Sequence, residues 1–560
     1  MSKVDPVTFN IFTNSVQAIA QEMSNDFIRT AYSTVIREAA DCSTCLVDRK
    51  GRVLAQAQNI PLHLNSVSPA VQGALAKTQV DKLTEDDIII LNDAYNGGQH
   101  LSDIYLFSPI IHDGVLIGFS GSVGHHVDLG HSPGYNLHAR DVFEERMRFT
   151  PMVFSLSRDW NGGILEQLIR ANVRIPRDTI GDLNAQITAN QTGRRRMKEL
   201  IGRYSVETVI AASDQLLDYA ESFMREAIAE VPDGVYQGID YIDTDGLDQK
   251  NLKVCVTVTV RGDSLHLDFE GTAPQVKTAI NCPRASTISS AYSALKMLLT
   301  KPSIPLNDGS YRPITIAAPE GSIVNPIPFA PVEGRNVVVM RVFQSILLAL
   351  SKALPDRIPA PGYDTRTEVD LHWQGRRTYH AISEQLGGGY GAGPQNDGAD
   401  QLDDPLGNCR NTPVEALELS QSFFRVERYE LRPDSGGAGR HRGGLGAIRT
   451  YRFLEDGVHM SVYSDRFENK APGVQGGHDG STAYIKITRR DGSVEQLPPK
   501  GAATLNRGDH LEVAIGGGAG YGDPATRDRG LVADDLASGK VTEQMASYYE
   551  QPQTGKRANA

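Results

Sequence analysis

Residues 93–130 read DAYNGGQHLSDIYLFSPIIHDGVLIGFSGSVGHHVDLG. The middle of this stretch is two apolar runs, Ile104 to Ile111 and Leu116 to Val123, separated by His112-Asp113-Gly114. Such runs around an Asp-Gly pair predict a β-hairpin, because aspartate and glycine tolerate the left-handed backbone that a tight turn requires. The flanks are polar: His100 and Asp103 precede the hairpin, and His125, His126 and Asp128 follow it.

Outward from the hairpin, two different periods alternate. Toward the N-terminus, Val16, Ile19, Ala20, Met23, Phe27 and Ala31 form one apolar stripe, which predicts a long helix from about Pro6 to Glu38. CLVDRKGRVLAQAQ, residues 45–58, reads as two short strands around Lys50-Gly51, and Ile88 to Leu91 as another. Helical patterns return from Gly163 to Arg174 and from Gly181 to Glu230 with a break near Gly202, and Val231-Pro232-Asp233-Gly234 marks a boundary. Beyond it LKVCVTVTVRGDSLHLDFEGT alternates as a hairpin, and helices are expected at Ala291 to Leu299 and Val337 to Leu354. The last 130 residues carry short strands among crowded glycines. The expectation is an α+β, multidomain chain: an N-terminal helix-and-strand unit at 1–233, a central α/β unit at 234–430 and a β-rich, glycine-rich unit at 431–560.

Composition narrows the function. Across 560 residues, 40% apolar and 22% charged content describes a folded chain able to bury large cores. A net charge of -12 argues against nucleic-acid or anionic-membrane partners. The basic run Arg194, Arg195, Arg196 and Lys198 reads as a solvated or salt-bridged helix face. Five cysteines, an odd number, fit a reducing compartment better than a disulfide scaffold, and no leader or membrane span is evident, so a cytoplasmic location is expected. Cys42 and Cys45 lack a second pair nearby and are read as core thiols.

No phosphate-binding P-loop, dinucleotide fingerprint or serine nucleophile elbow occurs. The triple-glycine loops at 387 and 516 lack a phosphate-binding lysine and read as tight packing. The histidine-carboxylate cluster remains. Imidazole nitrogen with carboxylate oxygen suits a first-row divalent metal, although packed structural histidines would give the same spacing. If extended, residues 125 and 126 point to opposite sides, so only one would reach such a metal. Asp41 is a further possible donor, and Asp128 could orient a histidine or act as a base.

Eight ordered blocks carry a resemblance that spans nearly the whole chain. They are DAYNGGQHLSDI (93–104), GHHVDLG (124–130), IRANVRIP (169–176), GDLNAQITAN (181–190), GGGYGAGPQNDG (387–398), CRNTPVEALE (409–418), GGAGRHRGGLG (436–446) and GGGAGYGDP (516–524). In these the sequence resembles the hydantoinase B/oxoprolinase family. The resemblance implies the metal-bearing B-type (beta) subunit of an ATP-dependent hydrolase that opens a hydantoin, 5-oxoproline or lactam ring. A hydantoinase A/oxoprolinase-type partner would use ATP to phosphorylate the carbonyl oxygen, within a hetero-oligomer. It implies Asp41, His100, Asp103 and His125 as ligands of one divalent ion, zinc, iron or manganese, with His126 and Asp128 as catalytic neighbours handling protons. Two alternatives stand beside it, a subunit of an ATP-dependent ketone carboxylase and a noncatalytic assembly subunit.

Overall fold

The computed structural model describes residues 4–550, apart from 58, 133, 137, 301–303 and 306 and the side chain of 64. Helix α1 (Pro6–Thr30) starts where the Asp5 side chain accepts from the backbone N–H groups of Val7 and Thr8, with Pro6 in the first turn. Its buried stripe is Phe9, Phe12, Val16, Ile19, Ala20, Met23, Ser24 and Phe27. Each large apolar side chain removed from water there contributes about 1.5–3 kcal/mol. The helix does not continue to Glu38 as periodicity suggests. It stops at Ala31, and after a break a single turn, α2 (Thr34–Arg37), follows. The cause is tertiary: Asp182 accepts from the N–H groups of Tyr32 and Ser33 at 2.7 and 3.1 Å and holds that segment extended.

Strands β1 (Cys42–Asp48), β2 (Val53–Gln56), β3 (Asp87–Leu91), β4 (Asp103–His112), β5 (Val115–His125) and β6 (Met152–Ser155) form one sheet in the order β2-β1-β5-β4-β3-β6. The predicted hairpin is β4 with β5, closed by Asp113 and Gly114 at φ 49° and 75°. Between the strands, single turns or short helices α3 (Pro61–Leu64) and α4 (Val67–Lys77) pack around the sheet. Beyond β6 come α5 (Leu156–Asp159), α6 (Ile164–Asn172), α7 (Pro176–Tyr204) and α8 (Val206–Ala229). The expected break near Gly202 falls at Ser205, whose φ is 84°. Arg195 and Arg196 pair with Glu22 and Glu199, and Lys198 with Glu85, so the basic run is a salt-bridged face.

Strands β7 (Gly234–Thr244), β8 (Lys250–Arg261), β9 (Ser264–Asp268) and β10 (Ile314–Ala317) make a second sheet, covered by α9 (Arg284–Leu299) and α10 (Asn336–Leu350). The remaining strands are β11 (Thr367–Gln374), β12 (Tyr379–Leu386), β13 (Phe424–Leu431), β14 (Ala447–Phe453), β15 (Val458–Tyr463), β16 (Tyr484–Thr488), β17 (Val494–Leu497), β18 (Lys500–Leu505) and β19 (His510–Ala514). They form two sheets, β12-β11-β15-β18 and β13-β14-β19-β16-β17, whose inner faces share one apolar core. Both sheets pair strands from either side of residue 430. The β-rich unit therefore reaches back to about Thr367, because hydrogen-bonded ladders rather than local composition decide which strands belong together. The triple-glycine loops pack backbone on backbone: a Cβ at Gly389 would lie 1.9 Å from the Gly444 carbonyl oxygen.

Both Cys42 and Cys45 are free and buried, and burial pushes their thiol pKa values upward. No helix among the described residues is long and apolar enough to cross a membrane.

A candidate metal centre at one sheet end

Strand register brings the separated acids and imidazoles together. Asp103 opens β4 and His125 closes β5, and the two are direct cross-strand partners. On the other side of β5, Cys42 pairs with Gly124, so Asp41 sits beside His125 and its carbonyl accepts the His125 N–H at 3.1 Å. His100 lies in the turn before β4, where the Asp103 N–H returns to its carbonyl at 3.1 Å. The loop turns back at Gly97, whose φ is 96° and where a Cβ would lie 2.1 Å from the Pro69 carbonyl oxygen. Only glycine fits that approach.

His100 Nε2, His125 Nδ1 and an Asp103 carboxylate oxygen form a compact trio, with donor atoms mutually within 4.8 Å. All three residues are buried, at 1%, 4% and 0% exposure. Asp103 Oδ1 is the common point, 3.0 Å from His100 Nε2 and 3.3 Å from His125 Nδ1. Sequence reasoning missed a third imidazole there. His63, on α3, places Nε2 3.4 Å from Asp103 Oδ1 and 3.6 Å from Asp41 Oδ1. It lies 37 positions before His100 among apolar residues, with no motif to mark it.

The surrounding groups hold these donors in place. Asp103 Oδ2 accepts from Arg335 at 2.9 Å, and the same guanidinium reaches Gln99 at 2.7 Å. Asp41 Oδ2 accepts from Gln385 Nε2 at 2.7 Å and faces Arg366 at 3.5 Å, while its Oδ1 is buried without a hydrogen-bond partner. Ser102 and Arg146 both donate to Glu333, at 2.8 and 2.6 Å. Arg335, Glu333, Arg366 and Gln385 come from sequence more than 200 residues away, which is why local spacing could not show them.

The two carboxylates are held in their charged form. Burial alone would raise the Asp103 carboxyl, but His100 and His63 hold it well below the usual carboxylate range. Asp41 is likewise held down by His63 and Arg366 against burial. Burial and the nearby Arg335 charge lower the His100 pKa. Burial opposes protonation of His125 too, but its Asp103 hydrogen bond and Asp41 outweigh it and raise its pKa. His100 Nδ1 is 3.2 Å from the Glu333 carbonyl, which can only accept, so the tautomer protonated at Nδ1 would leave Nε2 free to ligate. Nε2 faces Asp103 Oδ1 at 3.0 Å, a separation that either an imidazole proton or a metal cation between them satisfies. The donor set and the orphaned Asp41 Oδ1 therefore fit a divalent ion.

The two expected neighbours lie elsewhere. His126 points to the opposite side of the strand end, where Nε2 is 2.9 Å from Gln186 Oε1. Asp128 is turned toward Arg174: its carboxylate accepts from the Arg174 side chain and backbone and from the N–H groups of Ile175 and Gly130. It ties the loop after β5 to the start of α7 and has no hydrogen bond to a histidine among the described residues. A separate cavity of about 770 Å³ lies on the outer side of the His100 loop, lined by Tyr95, Gly97, Arg284, Tyr292, Asp308 and Arg312 among others.

The hydantoinase B/oxoprolinase family profile matches residues 5–524. A candidate D-/L-hydantoinase B subunit of Pseudomonas sp. (strain NS671) is 33% identical over 98% of this chain and 95% of its own length. The crystal structure of the ATP-dependent caprolactamase from Pseudomonas jessenii superposes with a TM-score of 0.89 at 28% identity, covering 99% of this chain and 98% of that one. An acetone carboxylase structure also reaches 0.89, but at 18% identity, over 97% of this chain and 79% of that one, so it shares the fold alone. The chain belongs to the hydantoinase B/oxoprolinase family.

Proposed function

We propose that this chain is the metal-bearing B-type subunit of an ATP-dependent hydrolase that opens a cyclic amide, a hydantoin, 5-oxoproline or lactam, together with an A-type partner. The observation that carries the reading is the convergence of His100 Nε2, His125 Nδ1 and Asp103 Oδ1 in one buried cluster, in a chain similar to a hydantoinase subunit and to caprolactamase. Asp41, His100, Asp103 and His125 would hold zinc, iron or manganese. When bound, such an ion supplies Lewis acidity and lowers the pKa of water from 15.7 toward roughly 7.

The chain's own residues supply the positioning. Arg335 fixes the Asp103 carboxylate, the Glu333 carbonyl faces His100 Nδ1, and Gln385 with Arg366 fixes Asp41. An unactivated ring amide is a poor electrophile, and phosphorylating its oxygen creates a leaving group. The missing phosphate loop supports assigning ATP to the partner.

The test is reconstitution with an A-type subunit, ATP and a panel of hydantoins, lactams, 5-oxoproline and ketones with bicarbonate. ATP-dependent ring opening is expected. ATP-dependent bicarbonate incorporation into a ketone would replace this reading with the carboxylase one, and silence on every substrate would favour an assembly role.

A further inference from the structure

We infer that His63 is a further ligand of the same ion, so that three imidazoles and two carboxylates surround it. The inference rests on the metal-site reading above and extends its donor set. Two donor atoms each about 2.0–2.2 Å from one ion stand roughly 3.0–3.5 Å apart when they subtend 90–110°. His63 Nε2 is 3.4 Å from Asp103 Oδ1 and 3.6 Å from Asp41 Oδ1, next to the 3.0 and 3.3 Å separations of His100 and His125 from Asp103; it stands outside the trio whose donors lie mutually within 4.8 Å, so its ring must close inward on the ion. The same two distances are long for hydrogen bonds, which for N–H to O run about 2.7–3.2 Å. Asp41 Oδ1, the atom facing His63, is buried with no hydrogen-bond partner. A ring donating a proton would have satisfied it, whereas a ring and a carboxylate sharing a cation stand apart in this way.

Position and packing agree. His63 is 3% exposed, and its helical turn is pinned to the loop that carries His100: Gln99 and Ser289 both donate to the Leu62 carbonyl, at 2.5 and 2.6 Å. The ring is therefore placed by α9 and by the His100 loop at once. Five protein donors leave a six-coordinate ion one position for water or substrate. That favours manganese or iron over a four-coordinate zinc.

The test uses the full chain loaded with cobalt(II), alone and with its partner subunit. Each coordinated histidine gives one strongly shifted ring N–H resonance in the proton NMR spectrum. Three such resonances are expected from the native protein and two from His63→Ala. His63→Gln, which keeps a polar side chain, serves as a second variant, and circular dichroism reports folding of both. Cobalt affinity should fall by more than about 100-fold, beyond the roughly 10–100-fold of a residue that only orients a ligand. Two resonances from the native protein would overturn the role of His63 and leave the metal site standing. Failure of the native protein to bind cobalt would overturn both.

Discussion

Arg335 Nη2 lies 2.9 Å from Asp103 Oδ2, on the side of the carboxylate opposite the imidazoles that approach Oδ1. The guanidinium thus fixes the plane of a buried carboxylate without taking up its inward oxygen. Arg335→Ala should weaken metal binding about 10–100-fold, as loss of a partner behind a ligand does elsewhere. Arg335→Lys should recover part of it, since lysine restores charge but not the fork that also reaches Gln99. Competition against a chelating dye measures this, and unchanged affinity in folded Arg335→Ala would refute the role.

The loop before His100 can be disturbed without touching a ligand. A Cβ at Gly73, on α4, would sit 1.9 Å from the Asn96 carbonyl oxygen. Gly73→Ala must push that loop outward, at a cost of about 1–3 kcal/mol for overpacking. A lower melting temperature and weaker metal binding should appear together. A variant that loses neither would show that the loop is not held there.

Arg146 and Glu333 form a buried ion pair at 2.6 Å, with side chains 3% and 2% exposed. Removing the arginine leaves Glu333 beside Glu145, a second buried carboxyl whose pKa burial and Glu333 already push well upward. Arg146→Met should therefore destabilise the chain by about 3–5 kcal/mol. Denaturant unfolding checks it, and a midpoint equal to that of the native protein would contradict the assignment.

Asp308, on the wall of the outer cavity, has its pKa raised by burial to about 6 from an ordinary 3.8. The folded state then binds more protons than the unfolded state between these values, so this carboxyl erodes stability as pH rises through the window. The loss is complete above the folded pKa. Asp308→Asn keeps an oxygen to accept the Val53 N–H, which lies 2.9 Å away in the native protein. It should gain stability relative to native as pH rises from about 4 to 6, by up to about 3 kcal/mol, and hold that gain at higher pH. A pH-independent difference between the two melting curves would contradict this.

Much of this was readable in the sequence, for a physical reason. The β4–β5 hairpin is local, so alternation and an Asp-Gly turn were enough to predict it, and its register then makes Asp103 and His125 neighbours. Backbone alternation likewise separated His125 from His126. What stayed hidden depends on contacts distant in sequence: the end of α1 set by Asp182, His63 set by α9, and Arg335, Arg366 and Gln385 reaching in from beyond residue 330. The strand pairings that cross residue 430 were hidden for the same reason, because ladders between distant strands leave no compositional mark.

The central claim, one divalent ion held by Asp41, His100, Asp103 and His125, is tested most directly by metal analysis of protein purified without chelator. Native protein should carry close to one equivalent of zinc, iron or manganese per chain, and folded His100→Ala/Asp103→Ala should carry none and be inactive with its partner. Full activity of metal-free protein, or an undiminished metal content in that double variant, would contradict the account.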